Sequence, residues 1–227
     1  MADESTPELK YETLKQSDLD ERKSTAELVT NILSERRTRC NVYIFKHPYF
    51  ISGFIPLMSI FLYTYKDHFR DQLGSMILFS SGVTMAYSLL WSRSSEYFDT
   101  QTKLWAESNK DASFPDSNVI VAKYGDRIIG AISLSEKSKN SASINFWVVL
   151  RPYRNAGLGK DLLKLALDSM KQNEVNSVSL SIISPLEQPA EHILRKNGFA
   201  STLTSNLPSK VLTAIGIRNV EMSCKSN

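Results

Sequence analysis

The chain has 227 residues, 27 Lys plus Arg against 24 Asp plus Glu, and two cysteines, a length that holds one domain of about 150 residues plus an accessory segment. A net charge of +3 spread along the chain, with only the Glu35–Lys46 region locally basic, argues against a nucleic-acid groove. Cys40 and Cys224 stand far apart with no Cys-x-x-Cys and no His cluster, which argues against a zinc site and a disulfide framework and fits a reducing compartment.

Residues 1–7 are polar and read as a disordered tail. The first twenty residues contain no apolar signal-peptide core, so membrane targeting would have to come from further in. Leu9–Leu14 reads as an edge strand ending at Ser17-Asp18. Asp18 or Asp20 can cap a helix whose apolar face is Ala26, Leu28, Val29, Ile32 and Leu33, and Arg36-Arg37-Thr38-Arg39 suits its negative end.

Pro48–Tyr65 and Gln72–Ser92 then run without a charge, separated by Lys66–Asp71. Each is near the ~20 residues that cross ~30 Å of hydrocarbon. Tyr43, Tyr49, Tyr63, Tyr65 and Trp91 sit near the run ends, where interfacial aromatics belong. The pattern predicts a membrane helical hairpin. A buried helical pair, which Ser75, Ser80, Ser81, Thr84 and Ser88 would suit, and a hairpin that dips in without crossing are the alternatives. Basic residues outside the runs, Arg36, Arg37, Arg39, Lys46, Arg93 and Lys103, place both flanks in the cytosol.

Arg93–Ser108 reads as an amphipathic helix and Asn109–Asn118 as a polar loop. Val119–Lys123 and Ile128–Ser135 flank a hairpin turn, and Ala142–Leu150 is a third strand, stopped by Arg151-Pro152. From Gly157 the apolar positions Leu158, Leu162, Leu163, Leu165 and Ala166 fall at helical spacing. The joint is therefore strand, glycine turn, helix. Free N–H groups in the first helical turn and the helix dipole suit a phosphate or pyrophosphate; spacing alone fits a plain tight turn equally well. Val175–Ile183 is a further strand, Gln188–Asn197 a helix ended by Gly198, Phe199–Thr204 a strand, and Lys210–Met222 a last extended segment.

Arg154-Asn155-Ala156-Gly157-Leu158-Gly159 matches the Arg/Gln-x-x-Gly-x-Gly/Ala signature of the GNAT acetyltransferases, and has neither the Gly-Lys-Ser/Thr of a P-loop nor the Gly-x-Gly-x-x-Gly of a dinucleotide fold. Ala190–Phe199, AEHILRKNGF, resembles the second GNAT signature. Trp91–Tyr97, with the position of the uncharged runs, is similar to the hairpin-anchored N-acetyltransferases of the endoplasmic reticulum.

This resemblance implies an α+β GNAT-like fold, a mixed and mainly antiparallel sheet flanked by helices, with an inserted transmembrane helical hairpin. The implied division is a tail at 1–7, the first strand and helix at 8–41, the hairpin at 42–93 with spans about 48–65 and 72–92, and the rest of the acetyltransferase domain at 94–227. Acetyl-CoA is the implied cosubstrate, with no metal. Val148, Val149, Arg154, Asn155, Ala156, Gly157, Leu158, Gly159 and Lys160 would bind it, and N–H groups of Phe146–Leu150 would polarise the thioester carbonyl. The implied function is acetyl transfer to an amine, of a small molecule or a protein lysine, at the cytosolic face of the endoplasmic reticulum. Membrane lipid is the other implied partner, both termini are cytosolic, and the oligomeric state stays open.

Two hallmarks are missing. Leu194 stands where the family has a tyrosine that protonates the leaving thiolate, and no glutamate lies in Ala142–Leu150 to act as general base. His192 and Glu191 are the catalytic candidates, with Glu187 nearby and Tyr153 beside the loop. A histidine, with its ordinary pKa near 6.5, can deprotonate an amine through water; solvated positions on an exposed helix face are the plainer reading. The alternative function is a catalytically weak or inactive membrane adaptor for another protein of the endoplasmic reticulum.

Overall fold

The computed structural model describes residues 8–15, 17–65, 73–109, 114, 117–138, 140–173 and 175–225. β1 (Leu9–Leu14), β2 (Ser117–Tyr124), β3 (Arg127–Ser138), β4 (Ser141–Val149), β5 (Ser177–Ser184), β6 (Ala200–Asn206) and β7 (Arg218–Lys225) form one sheet in the order β1-β2-β3-β4-β5-β7-β6. Among the described residues only β4 and β5 are parallel, as a crossover through a helix requires. Central β3 is buried from Ile128 to Leu134, a near-continuous apolar run of the kind that is covered on both faces. Edge strand β6 is exposed throughout.

The helices supply those covers. α1 (Leu19–Lys46) and α3 (Leu73–Ser108) lie on one face; there Leu28, Val29 and Ile32 pack with Val119, Val121, Ala131, Phe146 and Val148, and Trp105 closes over them. α4 (Leu158–Gln172) and α5 (Gln188–Lys196) cover the other, where Leu158, Leu162, Leu163, Ala166, Met170 and Leu194 meet Ile120, Ile129, Ile132, Ile144 and Leu180. α4 settles close to β3 because Gly130 has no side chain: a Cβ there would stand 3.0 Å from Leu162 Cδ1.

The GNAT-like mixed sheet stands, and the transmembrane hairpin does not. Among the described residues no helix is long and apolar enough to cross a membrane. The first run is α2 (Pro48–Tyr65), whose 18 residues include Pro56 and rise only about 27 Å at 1.5 Å per residue. The second run is the first part of α3, a single 36-residue helix that continues into the charged segment after Ser92. The lack of charge in these runs conceals a high content of Ser, Thr, Gly and Tyr. α2 instead packs on α3 through Phe50 with Tyr87 (centroids 5.6 Å apart) and Phe61 with Phe79 (3.9 Å).

Three other boundaries differ. Arg36–Arg39 is not the end of the first helix, since α1 runs on to Lys46. Arg93–Ser108 is not a separate helix, because nothing between Ser92 and Arg93 breaks α3. Lys210–Met222 is not one extended segment: α6 (Lys210–Ala214) comes first, Gly216 at φ 79° ends it, and β7 begins at Arg218. Residues 1–7, the Lys66–Asp71 connection and most of the Asn109–Asn118 loop lie outside the described residues.

Candidate active site

β4 and β5 pair from Ser141↔Ser177 to Ile144↔Leu180 and no further. Beyond Leu180, β5 stays paired with β7 as far as Ser184↔Arg218, while β4 stays paired with β3 as far as Val149↔Gly130. The two parallel strands therefore part. The cause is visible in the register: Leu134 pairs with Ile144 and Ser133 with Phe146, so Asn145 is an extra residue, and a bulge bends the strand that carries it. The Asn145 side chain is held there, its Oδ1 accepting from Ser135 Oγ at 3.0 Å and from Ser143 Oγ at 3.4 Å.

From Asn145 to Val149 one edge of β4 faces this opening, and among the described residues no strand pairs with it. Leu150 N–H donates to Ile129 O at 2.8 Å. Main-chain groups of alternate residues point to opposite edges of a strand, so Val149 and Trp147 turn theirs toward the opening while Val148 turns its own toward β3. The Val148 side chain is buried beneath α1.

β4 runs through a single 3-10 turn, Arg151–Tyr153, into the glycine turn. Asn155 (φ 73°) and Gly157 (φ 87°) both have left-handed backbone, with Ala156 between them. Such alternation curls successive N–H groups inward into an anion-binding nest. Gly157 is the N-cap of α4, and its carbonyl accepts from Lys160 N at 2.9 Å and Asp161 N at 3.1 Å. The N–H groups of Leu158 and Gly159 are orphans of the first turn. Lys160 is exposed beside them. Gly159 packs tightly on β4: a Cβ there would stand 3.3 Å from the Trp147 ring, whose Nε1 donates to Gly159 O at 3.0 Å. This contact locks the start of α4 onto β4.

Arg154 reaches back to the end of β4 and across to α1. Its Nε donates to Val149 O at 2.8 Å, and its Nη1 pairs with Glu35 Oε2 on α1 at 2.8 Å. Partial burial raises the Glu35 carboxyl, but hydrogen bonds and charge from Arg154 and then Arg39 outweigh it and hold the group below its ordinary value. Arg154 thus braces the turn through its side chain, a role the motif does not reveal.

On the β5 side, α5 turns Leu194 fully into the core. His192 lies two residues away, some 200° around the helix at 3.6 residues per turn, and is exposed. Glu191 accepts from Arg195 at 2.8 and 3.0 Å and from Ser184 Oγ at 3.2 Å. Glu187 accepts from Ile183 N at 3.0 Å and pairs with Arg36 at 2.8 Å. The carboxylates are occupied, and the imidazole points away from the sheet. Cys40 is no nucleophile, since burial pushes its thiol up to about 12 and only the thiolate attacks. Tyr153 lies near Tyr124, ring centroids 6.2 Å apart. A cavity of about 430 Å³ lies at the opposite end of β4, lined by Leu134, Glu136, Ala142, Met170 and Val175 among others, remote from the turn.

The model of the acetyltransferase (GNAT) family matches residues 84–199, over half of the chain. No curated protein matches. Among solved structures, a GNAT family acetyltransferase from Elizabethkingia anophelis with acetyl-CoA bound is 16% identical, with 53% of this chain and 83% of that one covered, at a TM-score of 0.45. Ard1 from Thermoplasma volcanium is 21% identical over 56% and 80% at 0.45. The ribosomal-protein-S18-alanine N-acetyltransferase from Escherichia coli is 14% identical over 55% and 76% at 0.46. The family match together with the parted parallel strands and the glycine turn is sufficient: this chain belongs to the GNAT acetyltransferase family.

Proposed function

We propose that this acetyl-CoA-dependent N-acyltransferase moves the acetyl group directly to an uncharged amine. The observation that carries the reading is the edge of β4 that no described strand pairs with, leading through the short turn Arg151–Tyr153 to the left-handed turn at Asn155–Gly157. Main-chain N–H groups from Asn155 to Gly159, with the exposed Lys160 side chain beside them, would hold the pyrophosphate, and the edge at Trp147 and Val149 would hold the thioester-bearing arm and its carbonyl oxygen. The amine nitrogen attacks the carbonyl carbon, the C–S bond breaks, the nitrogen loses its proton to water, and coenzyme A leaves as thiolate or takes a proton from water. Positioning and oxyanion stabilisation can carry most of such a barrier. Leu194 offers no proton, His192 is exposed on α5 and Glu191 is held by Arg195 and Ser184, so on this reading solvent acts as acid and base.

That same absence favours a second reading, a GNAT-fold adaptor that binds acetyl-CoA without turnover. Calorimetric titration with acetyl-CoA, on the wild-type chain and on Gly157→Val, tests the shared part: binding that the substitution weakens supports the site, and equal binding removes it. The endoplasmic reticulum and lipid contact expected from the sequence lose their support with the hairpin.

A further inference from the structure

Two neighbouring residues of α1 reach the two strands where they diverge. On one side Val149 O, at the end of β4, accepts from Arg154 Nε at 2.8 Å, and Arg154 Nη1 pairs with Glu35 at 2.8 Å. On the other Ile183 N, near the end of β5, donates to Glu187 Oε2 at 3.0 Å, and Glu187 Oε1 accepts from Arg36 Nε at 2.8 Å. Each half is a strand main chain, then a charged side chain from the segment that follows, then a partner on α1. Glu35 also accepts from Arg39, one turn on along the same helix, at 3.2 Å.

The apolar packing follows the same line. Leu28, Val29 and Ile32 of α1 sit over Phe146 and Val148 of β4, whereas Cys40 and Ile44 sit among Ile183 and Leu186 at the end of β5. α1 therefore crosses above the opening, with Glu35 and Arg36 at the crossing. Adjacent residues of a helix keep a fixed separation, so the strand ends cannot drift far apart without breaking a link in one of the two connections, at the ion pair or at the strand main chain.

We propose that α1 is a strut across the β4–β5 opening, with Glu35 and Arg36 as positioning residues that set its width and, on the acetyl-CoA reading above, the affinity for acetyl-CoA. The strut works only when attached at both ends. Glu35→Gln and Arg36→Met should each raise the acetyl-CoA Kd about fivefold, and the double variant also about fivefold, where independent local losses would multiply. Arg37→Met, which removes an exposed pair with Asp99 of α3, should leave Kd unchanged.

The width itself is read by electron spin resonance distances between labels at Arg151→Cys and Gln188→Cys, both exposed, in a Cys224→Ser background with Cys40 buried. One narrow distance should broaden in Glu35→Gln and in Arg36→Met alike and stay narrow in Arg37→Met. An unaltered distribution in both strut variants, or multiplied Kd effects in the double variant, overturns the proposal. Should the wild-type chain bind no acetyl-CoA, the functional reading fails while the label distances alone decide the strut.

Discussion

The two sides of the strand opening carry the two family motifs, and they are built from different parts of the residue. On the β4 side the chemistry belongs to the main chain: a strand edge that no described strand pairs with, two left-handed residues and a helix N-terminus. On the β5 side it would belong to side chains, and those of α5 are a buried leucine, an exposed histidine and a glutamate already bonded to Arg195 and Ser184. Backbone binding sites depend on a few local torsion angles and persist when neighbouring side chains change. Acid–base pairs require several side chains to converge, and one substitution such as leucine for tyrosine removes them.

The comparison is sharpest where a variant harms one side alone. Leu194 is fully buried among α4 and β5 residues, so Leu194→Ala should cost ~2–5 kcal/mol of stability by leaving a cavity. Urea denaturation checks this, and acetyl-CoA affinity measured well below the unfolding transition should hardly change. Leu194→Tyr should also destabilise, by ~1–3 kcal/mol, because a phenol must be forced into packed core. It should not raise the rate.

Gly157→Val acts on the other side. A β-branched residue at φ 87° is strained by ~1–3 kcal/mol, and acetyl-CoA affinity should fall at least tenfold, or ~1.4 kcal/mol, while the chain still folds. Loss of stability with full affinity would show that the turn is merely a turn.

The pH dependence separates the sides again. With solvent as base, the rate on an alkylamine acceptor should keep rising above about pH 8, toward the ~10.4 of a lysine-type amine. His192→Ala should track the wild-type profile throughout. A plateau near neutrality that the substitution abolishes would put the imidazole in the mechanism after all.

The smallest effect is on stability in acid. The folded-state pKa of Glu35 is depressed below its ordinary 4.5, so its contribution is present above that value and lost as pH falls through the folded value. Thermal melts from about pH 6 to about pH 3 should show wild type converging on Glu35→Gln. Exposure of about a third of the side chain keeps the difference at ~0.2–1 kcal/mol.

How much of this was legible followed the same divide. The strands before and after the glycine turn, the turn itself and α4 are local features: an apolar run, a proline stop and helical spacing place them without knowledge of partners. The bulge at Asn145 is not local, because it exists only against the register of β3. Arg36, Arg37 and Arg39 read as a basic helix end, yet each is paired, with Glu187, Asp99 and Glu35. Most of those partners lie far along the chain, so no spacing rule exposes them. The hairpin expectation fails because absence of charge is not apolarity: serines, threonines, glycines and tyrosines interrupt both runs. Gly216 after Ser209 and an apolar turn is a helix signal, and it outweighs the extended pattern of Lys210–Met222.

The central claim is that a main-chain site on β4 and the glycine turn is enough for acetyl transfer without an acid or base from α5. Its most direct test follows free coenzyme A released from acetyl-CoA with a broad panel of amines and peptides, with the acetylated product quantified by mass spectrometry. The account predicts release matched one for one by acetylated amine in the wild-type chain, preserved in His192→Ala and reduced at least about tenfold in Gly157→Val. Tight acetyl-CoA binding with no release on any acceptor would contradict it.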